Sequence, residues 1–221
     1  MGATLHWTQE AIAALHIIIN QLKQFYGVTR IRLLDVPCGD MAWMSRFLKT
    51  RDDIDYTGID IVPALIEHHR QMFKGYPWKF DLQDVVTSST IGTYHLILCR
   101  TLLQHLFFPD ALQLLERISN SGSGFLLVTS FYKHSENVDL VIEAENPGRF
   151  RKINLELKPI ALIPPRCAFR DGPPDAFEGW DHFLGLWKLP LRRVRRCKAP
   201  VTFQLHGTKE KIYSCTNWSL T

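Results

Sequence analysis

Leu33-Leu34-Asp35-Val36-Pro37-Cys38-Gly39-Asp40 is the stretch on which the fold turns. Together with Ile31 and Arg32, its first half reads as a short buried strand ending in an acid. Pro37-Cys38-Gly39-Asp40 is a turn, and Met41 to Leu48 follows with helical spacing. Gly39 lets backbone approach a ligand closely. The helix start behind it offers unpaired N–H groups suited to a carboxylate.

Upstream, Ala11, Ile12, Leu15, Ile18, Ile19, Leu22 and Phe25 mark an amphipathic helix over 9–26, closed by Gly27. Downstream, a second strand spans Ile54 to Ile61, and Pro63 stands at a favourable first helical position. A weak third strand covers Trp78 to Asp81, a strong fourth Tyr94 to Cys99, and a fifth Phe125 to Ser130. Pro109 opens the helix between the last two. Strand and helix alternate, which implies a parallel sheet with helices on both faces. The rhythm breaks over 131–190, where prolines and aromatics crowd a stretch of little periodicity, so this region reads as a functional insertion. Val201 to His206 and Lys211 to Thr216 flank a short glycine-containing loop and predict a terminal antiparallel hairpin.

The 221 residues fit one domain, and 46% hydrophobic residues supply a sizeable core. No apolar run approaches the ~20 residues of a membrane span. The N-terminus lacks the pattern of a secretory signal, so a cytoplasmic protein with no membrane partner is expected. Five cysteines, with no CxxC pair, argue for reduced thiols and against a disulfide framework or a metal site. The net charge of +4 gathers in the C-terminal half, most densely in Arg192-Arg193-Val194-Arg195-Arg196-Cys197-Lys198. That run suits phosphates, but it reads first as a solvated edge.

The second strand ends in Asp60, an acid about 20 residues past the glycine turn, where ribose hydroxyls are accepted. Asp81 follows the third strand and suits an adenine amino group, with Leu82 packing on the ring. This spacing alone serves nicotinamide dinucleotides equally well. Asp35 argues against them, because an acid there would repel a pyrophosphate, and no GxGxxG is present.

These residues resemble the class I S-adenosylmethionine (SAM) dependent methyltransferases, and within them a small subfamily of mostly unassigned substrates. The resemblance rests on Leu34 to Asp40 with Trp43-Met44, Gly58 to Pro63, Leu98-Cys99-Arg100 with Leu103 to Leu106, Asn154 to Leu157 and Gly185-Leu186-Trp187. It implies one domain over 1–221, with a Rossmann-like, mainly parallel seven-stranded sheet, a C-terminal antiparallel hairpin, a cofactor-covering helix in 1–26 and a lid or substrate insertion over 131–190. It also implies SAM as cofactor, S-adenosylhomocysteine (SAH) as product, and a cofactor site of Thr4, Asp35, Pro37, Cys38, Gly39, Asp40, Trp43, Asp60, Ile61, Asp81, Leu82, Cys99 and Arg100. Asp35 or Asp40 then balances the amino and sulfonium charges. Gly2 to Leu5 would fold over the methionine end, and its abrupt start leaves room for an upstream segment. Two departures stand out. Pro37 and Met41 occupy positions where the general loop has glycines, and Thr101 stands where the subfamily pattern has an acid.

Methyl transfer is mainly a matter of holding nucleophile, methyl and sulfur in line, aided by a base when the nucleophile carries a proton. His105, just past the fourth strand, is the candidate base, and Arg100 either orients an anionic substrate or pairs with an acid. Tyr132, His134, Asn154, Trp180 and Trp187 are candidates for a lid and pocket, with Trp187 favoured as core. Of His68 and His69, one is expected packed and one exposed, with no metal. The favoured function is methyl transfer to a polar small molecule. An RNA or protein methyltransferase using the 192–198 run is a second reading, with nucleic acid the less favoured partner. A catalytically silent SAM-binding partner subunit is a third, kept by Thr101. The sequence carries no signal for oligomeric state.

Overall fold

The structure, a computed structural model, describes residues 5–141, 150–173 and 181–194. Strands β1 (Ile31–Asp35), β2 (Ile54–Asp60), β3 (Lys79–Leu82), β4 (Leu96–Cys99) and β5 (Phe125–Ser130) lie parallel. β6 (Cys167–Arg170) and β7 (Phe183–Lys188) add on antiparallel, giving one seven-stranded sheet of order β3-β2-β1-β4-β5-β7-β6. Helices α1 (Leu5–Tyr26), α2 (Met44–Lys49), α3 (Pro63–Met72) and α4 (Phe108–Asn120) cover it. This is the expected Rossmann-like architecture. The strand order reverses between β1 and β4, and such a switch point leaves a crevice beyond the carboxyl ends.

Alternation along the strands builds a core on each face. Leu33, Leu96, Leu98, Phe125, Leu127, Leu184 and Leu186 point to one face, where α1 to α3 pack. Leu34, Ile97, Cys99, Leu126, Val128 and Trp187 point to the other, against α4 and the segment holding Ile153, Leu155 and Ile160. α1 buries the stripe Ala11, Ala14, Leu15, Ile18, Ile19 and Leu22, and Gly27 ends it at φ 63. α1 is thus a structural helix of the sheet face that touches β1 and β6, rather than only a cover for a cofactor.

The stretch 131–190 departs from the sequence reading. It contributes β6 and β7, and β7 is buried along Phe183 to Trp187. Its continuous apolar run lacks the alternation of a half-solvated strand, so it hid among the other aromatics. The antiparallel end of the sheet is therefore built by 167–188; the predicted 201–216 hairpin lies outside the described residues. Cys167 is disulfide-bonded, against the expectation of reduced thiols throughout, whereas Cys38 and Cys99 are free. Arg192 and Arg193 begin the basic run as an exposed strip, with Ile163 N donating to Arg192 O at 2.9 Å and Val194 N to Ala161 O at 2.8 Å. Residues 195–198 lie outside the described residues. Among the described residues, no helix is long and apolar enough to cross a membrane.

Candidate functional site

Register brings the carboxyl ends of β1 to β4 to one rim: Asp35 lies opposite Gly58 and Leu98, and Asp60 opposite Leu82. The loop after β1 is sewn to its neighbours. Val36 N donates to Leu98 O and Cys38 N to Ile59 O, each at 2.9 Å. Gly39 N donates to Asp60 Oδ2 at 3.2 Å, and Val62 N to Asp60 Oδ1 at 3.1 Å, so both carboxylate oxygens of Asp60 are fixed by backbone amides. Gly58 makes this closeness possible, because a Cβ there would fall 2.8 Å from both Cys38 Cβ and Tyr56 Oη. Gly39 stands at φ 55 and Met41 at φ 59. Met41 thus keeps the left-handed backbone that suits glycine, and its side chain turns into the core, 1% exposed.

Two residues to which the sequence reading gave no role in the site support this loop. His69 of α3 is buried, and its Nε2 lies 2.7 Å from Gly39 O, which requires the Nε2–H tautomer. His68 is exposed, so the expected split of the pair holds. Tyr56 of β2 donates to Asp35 Oδ2 at 3.0 Å, with its hydroxyl also 3.0 Å from Met41 Sδ. Burial pushes the Asp35 carboxyl up to about 7; the Tyr56 hydrogen bond and Arg100 pull it down, and Asp60 adds to the rise. Burial also pushes the Cys38 thiol up, and the Cys99 thiol up to about 12, so neither is a ready nucleophile.

Ile61 at 61%, Val62 at 47% and Leu82 at 50% exposure form an uncovered apolar group along the ends of β2 and β3. Asp81 is exposed next to them, and Asp40 is exposed while its Oδ1 accepts from Ala42 N at 2.9 Å. An apolar floor flanked by a fixed carboxylate is the chemistry of a site for a flat ring and a diol. Pro37 is half-buried in the loop, and Trp43 is buried at the start of α2. Thr4 and Trp180 lie outside the described residues.

Beyond β4, Arg100 pairs with an acid instead of standing ready for a substrate. Its Nε lies 2.9 Å from Asp171 Oδ2 and its Nη2 3.0 Å from Asp171 Oδ1, a bidentate pair, while its guanidinium sits 5.6 Å from the Trp43 ring centre. Asp171 is fully buried after β6, 71 positions away in sequence, and no local pattern announces it. His182 Nε2 lies 3.5 Å from Asp171 Oδ2, and burial holds its imidazole below the usual histidine range. Thr101 stands at φ 62 and donates its N–H to Thr129 Oγ1 at 2.9 Å. His105 is exposed, 5.5 Å edge-on from Phe150; Phe150 lies 6.1 Å from Phe131, which stacks on His182 at 5.0 Å. A wall of four rings therefore stands past the ends of β4, β5 and β7. Asn154 serves the frame: its Nδ2 donates to Tyr132 O and His134 O, and its own N–H donates to Asn137 Oδ1. Trp187 is core, with Nε1 donating to Ile163 O at 2.8 Å. Among the described residues there is no cluster of three groups able to hold a metal.

Residues 34–121, from the end of β1 through α4, match a family model described as a methyltransferase domain. Over that stretch the chain is similar to a methyltransferase domain. No curated protein matches its sequence. Among solved structures, the fold is shared with protein PH0226 of Pyrococcus horikoshii OT3 at 13% identity and TM-score 0.56, covering 85% of this chain and 95% of that one. It is shared with the 1,6-didemethyltoxoflavin-N1-methyltransferase of Burkholderia thailandensis, solved with 1,6-didemethyltoxoflavin and SAH, at 19% identity and TM-score 0.55, covering 83% and 80%. It is shared also with the N-methyltransferase NodS of Bradyrhizobium japonicum WM9, at 14% identity and TM-score 0.54, covering 83% and 99%. These identities speak for the fold alone.

Proposed function

We propose that this protein binds SAM across the carboxyl ends of β1 to β3 and moves its methyl group to a small polar acceptor beyond β4 and β5. Asp60 is the observation that carries the reading: a carboxylate with both oxygens fixed by backbone amides, beside exposed Ile61 and Leu82. In this reading Asp60 accepts the ribose hydroxyls, Ile61 and Leu82 pack on adenine, and Asp81 meets its amino group. Asp35, Pro37, Cys38, Gly39 and Asp40 line the methionine end, with Trp43, Cys99 and Arg100 closing it. SAM, when bound, supplies a methyl group already activated on a sulfonium. The protein's part is to align it and to take a proton from the acceptor. In this reading His105, exposed past the end of β4, takes that proton. The ring wall of His105, Phe150, Phe131 and His182 supports a small acceptor, since such surfaces line pockets that enclose most of a ligand. The small-molecule substrate and SAH seen with the Burkholderia enzyme accord with this reading.

Calorimetric titration with SAM and SAH tests the cofactor assignment. Wild type should bind both, and Asp60→Ala should weaken both on the order of 10²-fold, since it removes hydrogen bonds to a charged acceptor and frees the glycine loop. Absence of binding by the wild type would end the proposal. Labelled SAM offered against separate metabolite and RNA pools then distinguishes acceptor classes, and full activity of His105→Ala on the acceptor found would remove His105 as the base.

A further inference from the structure

SAM and SAH differ at the sulfur by one positive charge, so an enzyme of this kind must keep cations near the sulfur neutralised if it is to prefer substrate over product. Arg100 is the cation at issue. It follows β4, next to β1 in the sheet, its guanidinium lies against Trp43 of the cofactor loop, and its field reaches Asp35. A bare guanidinium there would oppose a sulfonium and leave neutral SAH unaffected.

We propose that Asp171 is a specificity-determining residue for the charge of the cofactor: by holding Arg100 in a bidentate pair, it screens that cation and lets the site accept SAM in preference to SAH. The inference rests on the SAM reading above. The geometry is that of a dedicated neutraliser. Asp171 is fully buried, while Arg100 remains 11% exposed by its side chain. Both oxygens of Asp171 lie within 3.2 Å of Arg100 nitrogens. The pairing also fixes the guanidinium plane on the Trp43 side, because a bidentate fork has one low-energy orientation. Asp35 and Asp60, the other acids at this rim, are engaged elsewhere, by the Tyr56 hydroxyl and by the amides of Gly39 and Val62. His182 is a further neighbour of Asp171 and gives it a second donor when Arg100 is removed.

The test is the ratio of SAH to SAM dissociation constants, measured by calorimetry on the full chain. A purely structural role for Asp171 weakens both ligands together and leaves the ratio alone. Asp171→Asn should weaken SAM about tenfold more than SAH, the scale of one charge acting across a partly buried site. Arg100→Met should move the ratio the other way, toward SAM. The double variant Arg100→Met/Asp171→Asn should return it to within about twofold of wild type. Should Asp171→Asn fail to fold, as a melting curve would show, the Arg100→Met and double variants decide. An unchanged ratio in the variants that fold overturns the inference. Wild-type protein that binds neither ligand sinks the cofactor reading instead.

Discussion

Replacing Asp35 by Asn should make the ligand-free protein more stable above neutral pH and remove the pH trend attached to this position. Asp35 is 2% exposed, and burial lifts its carboxyl from 3.8 to about 7. Between those values the folded chain keeps a proton that the unfolded chain has released, so stability falls as pH rises through the window and levels off above about 7. Three pH units at about 1.4 kcal/mol each set an upper bound near 4 kcal/mol. Relaxation around the ionised group lowers this, and we expect a change of about 2–4 kcal/mol in the difference between wild type and Asp35→Asn. Asn presents the same oxygen to the Tyr56 hydroxyl, so packing is retained. Urea unfolding followed by tryptophan fluorescence at pH 4, 5, 6, 7 and 8 gives the two stability curves. Parallel curves would refute the reasoning and mean that Asp35 stays ionised in the folded protein. The same substitution should weaken SAM, which wants an anion here, so the native acid trades apo stability for a cationic ligand.

Two further outcomes follow from packing around the site. Gly185→Ala places a Cβ against the Trp187 ring and the Tyr132 hydroxyl, both of which are held in the sheet; urea unfolding should show a loss of about 1–3 kcal/mol. His69→Leu removes the contact to Gly39 O while filling the same space, so calorimetry should register about tenfold weaker SAM and SAH with a melting temperature lowered only slightly. An unaltered affinity would show that the glycine loop holds its shape without His69.

The rim of the sheet was legible in the sequence because its signals are local. Asp35, Gly39 and Asp60 each end a strand or open a turn, and the helix and strand periods around them leave few alternatives. What escaped is non-local. Tyr56 and His69 are apolar-patterned positions whose polar tips meet Asp35 and Gly39 only after folding. Asp171 meets Arg100 across 71 positions. β7 escaped for another reason: covered on both faces, it has no alternation to display, so Trp187 read as core without a strand to hold it.

The two departures from the pattern that the sequence resembles have different physical consequences. Met41 and Thr101 both stand at left-handed backbone, φ 59 and 62, after β1 and β4. A non-glycine residue there costs roughly 1–2 kcal/mol, so the surrounding contacts must impose the conformation. At Met41 the core does so, through the buried thioether and the Tyr56 hydroxyl. At Thr101 the backbone N–H is tied to Thr129 Oγ1. Loop geometry thus survives at both positions, and only chemistry changes. Met41 replaces a hydrogen atom with core packing and leaves the rim open. Thr101, where the resembling subfamily has an acid, offers a hydroxyl that takes no proton at neutral pH. For an acceptor that carries a proton, the base must therefore come from another group on the rim. The imidazoles of His105 and His182, at the two ends of the ring wall, are the groups of suitable chemistry nearest the end of β4.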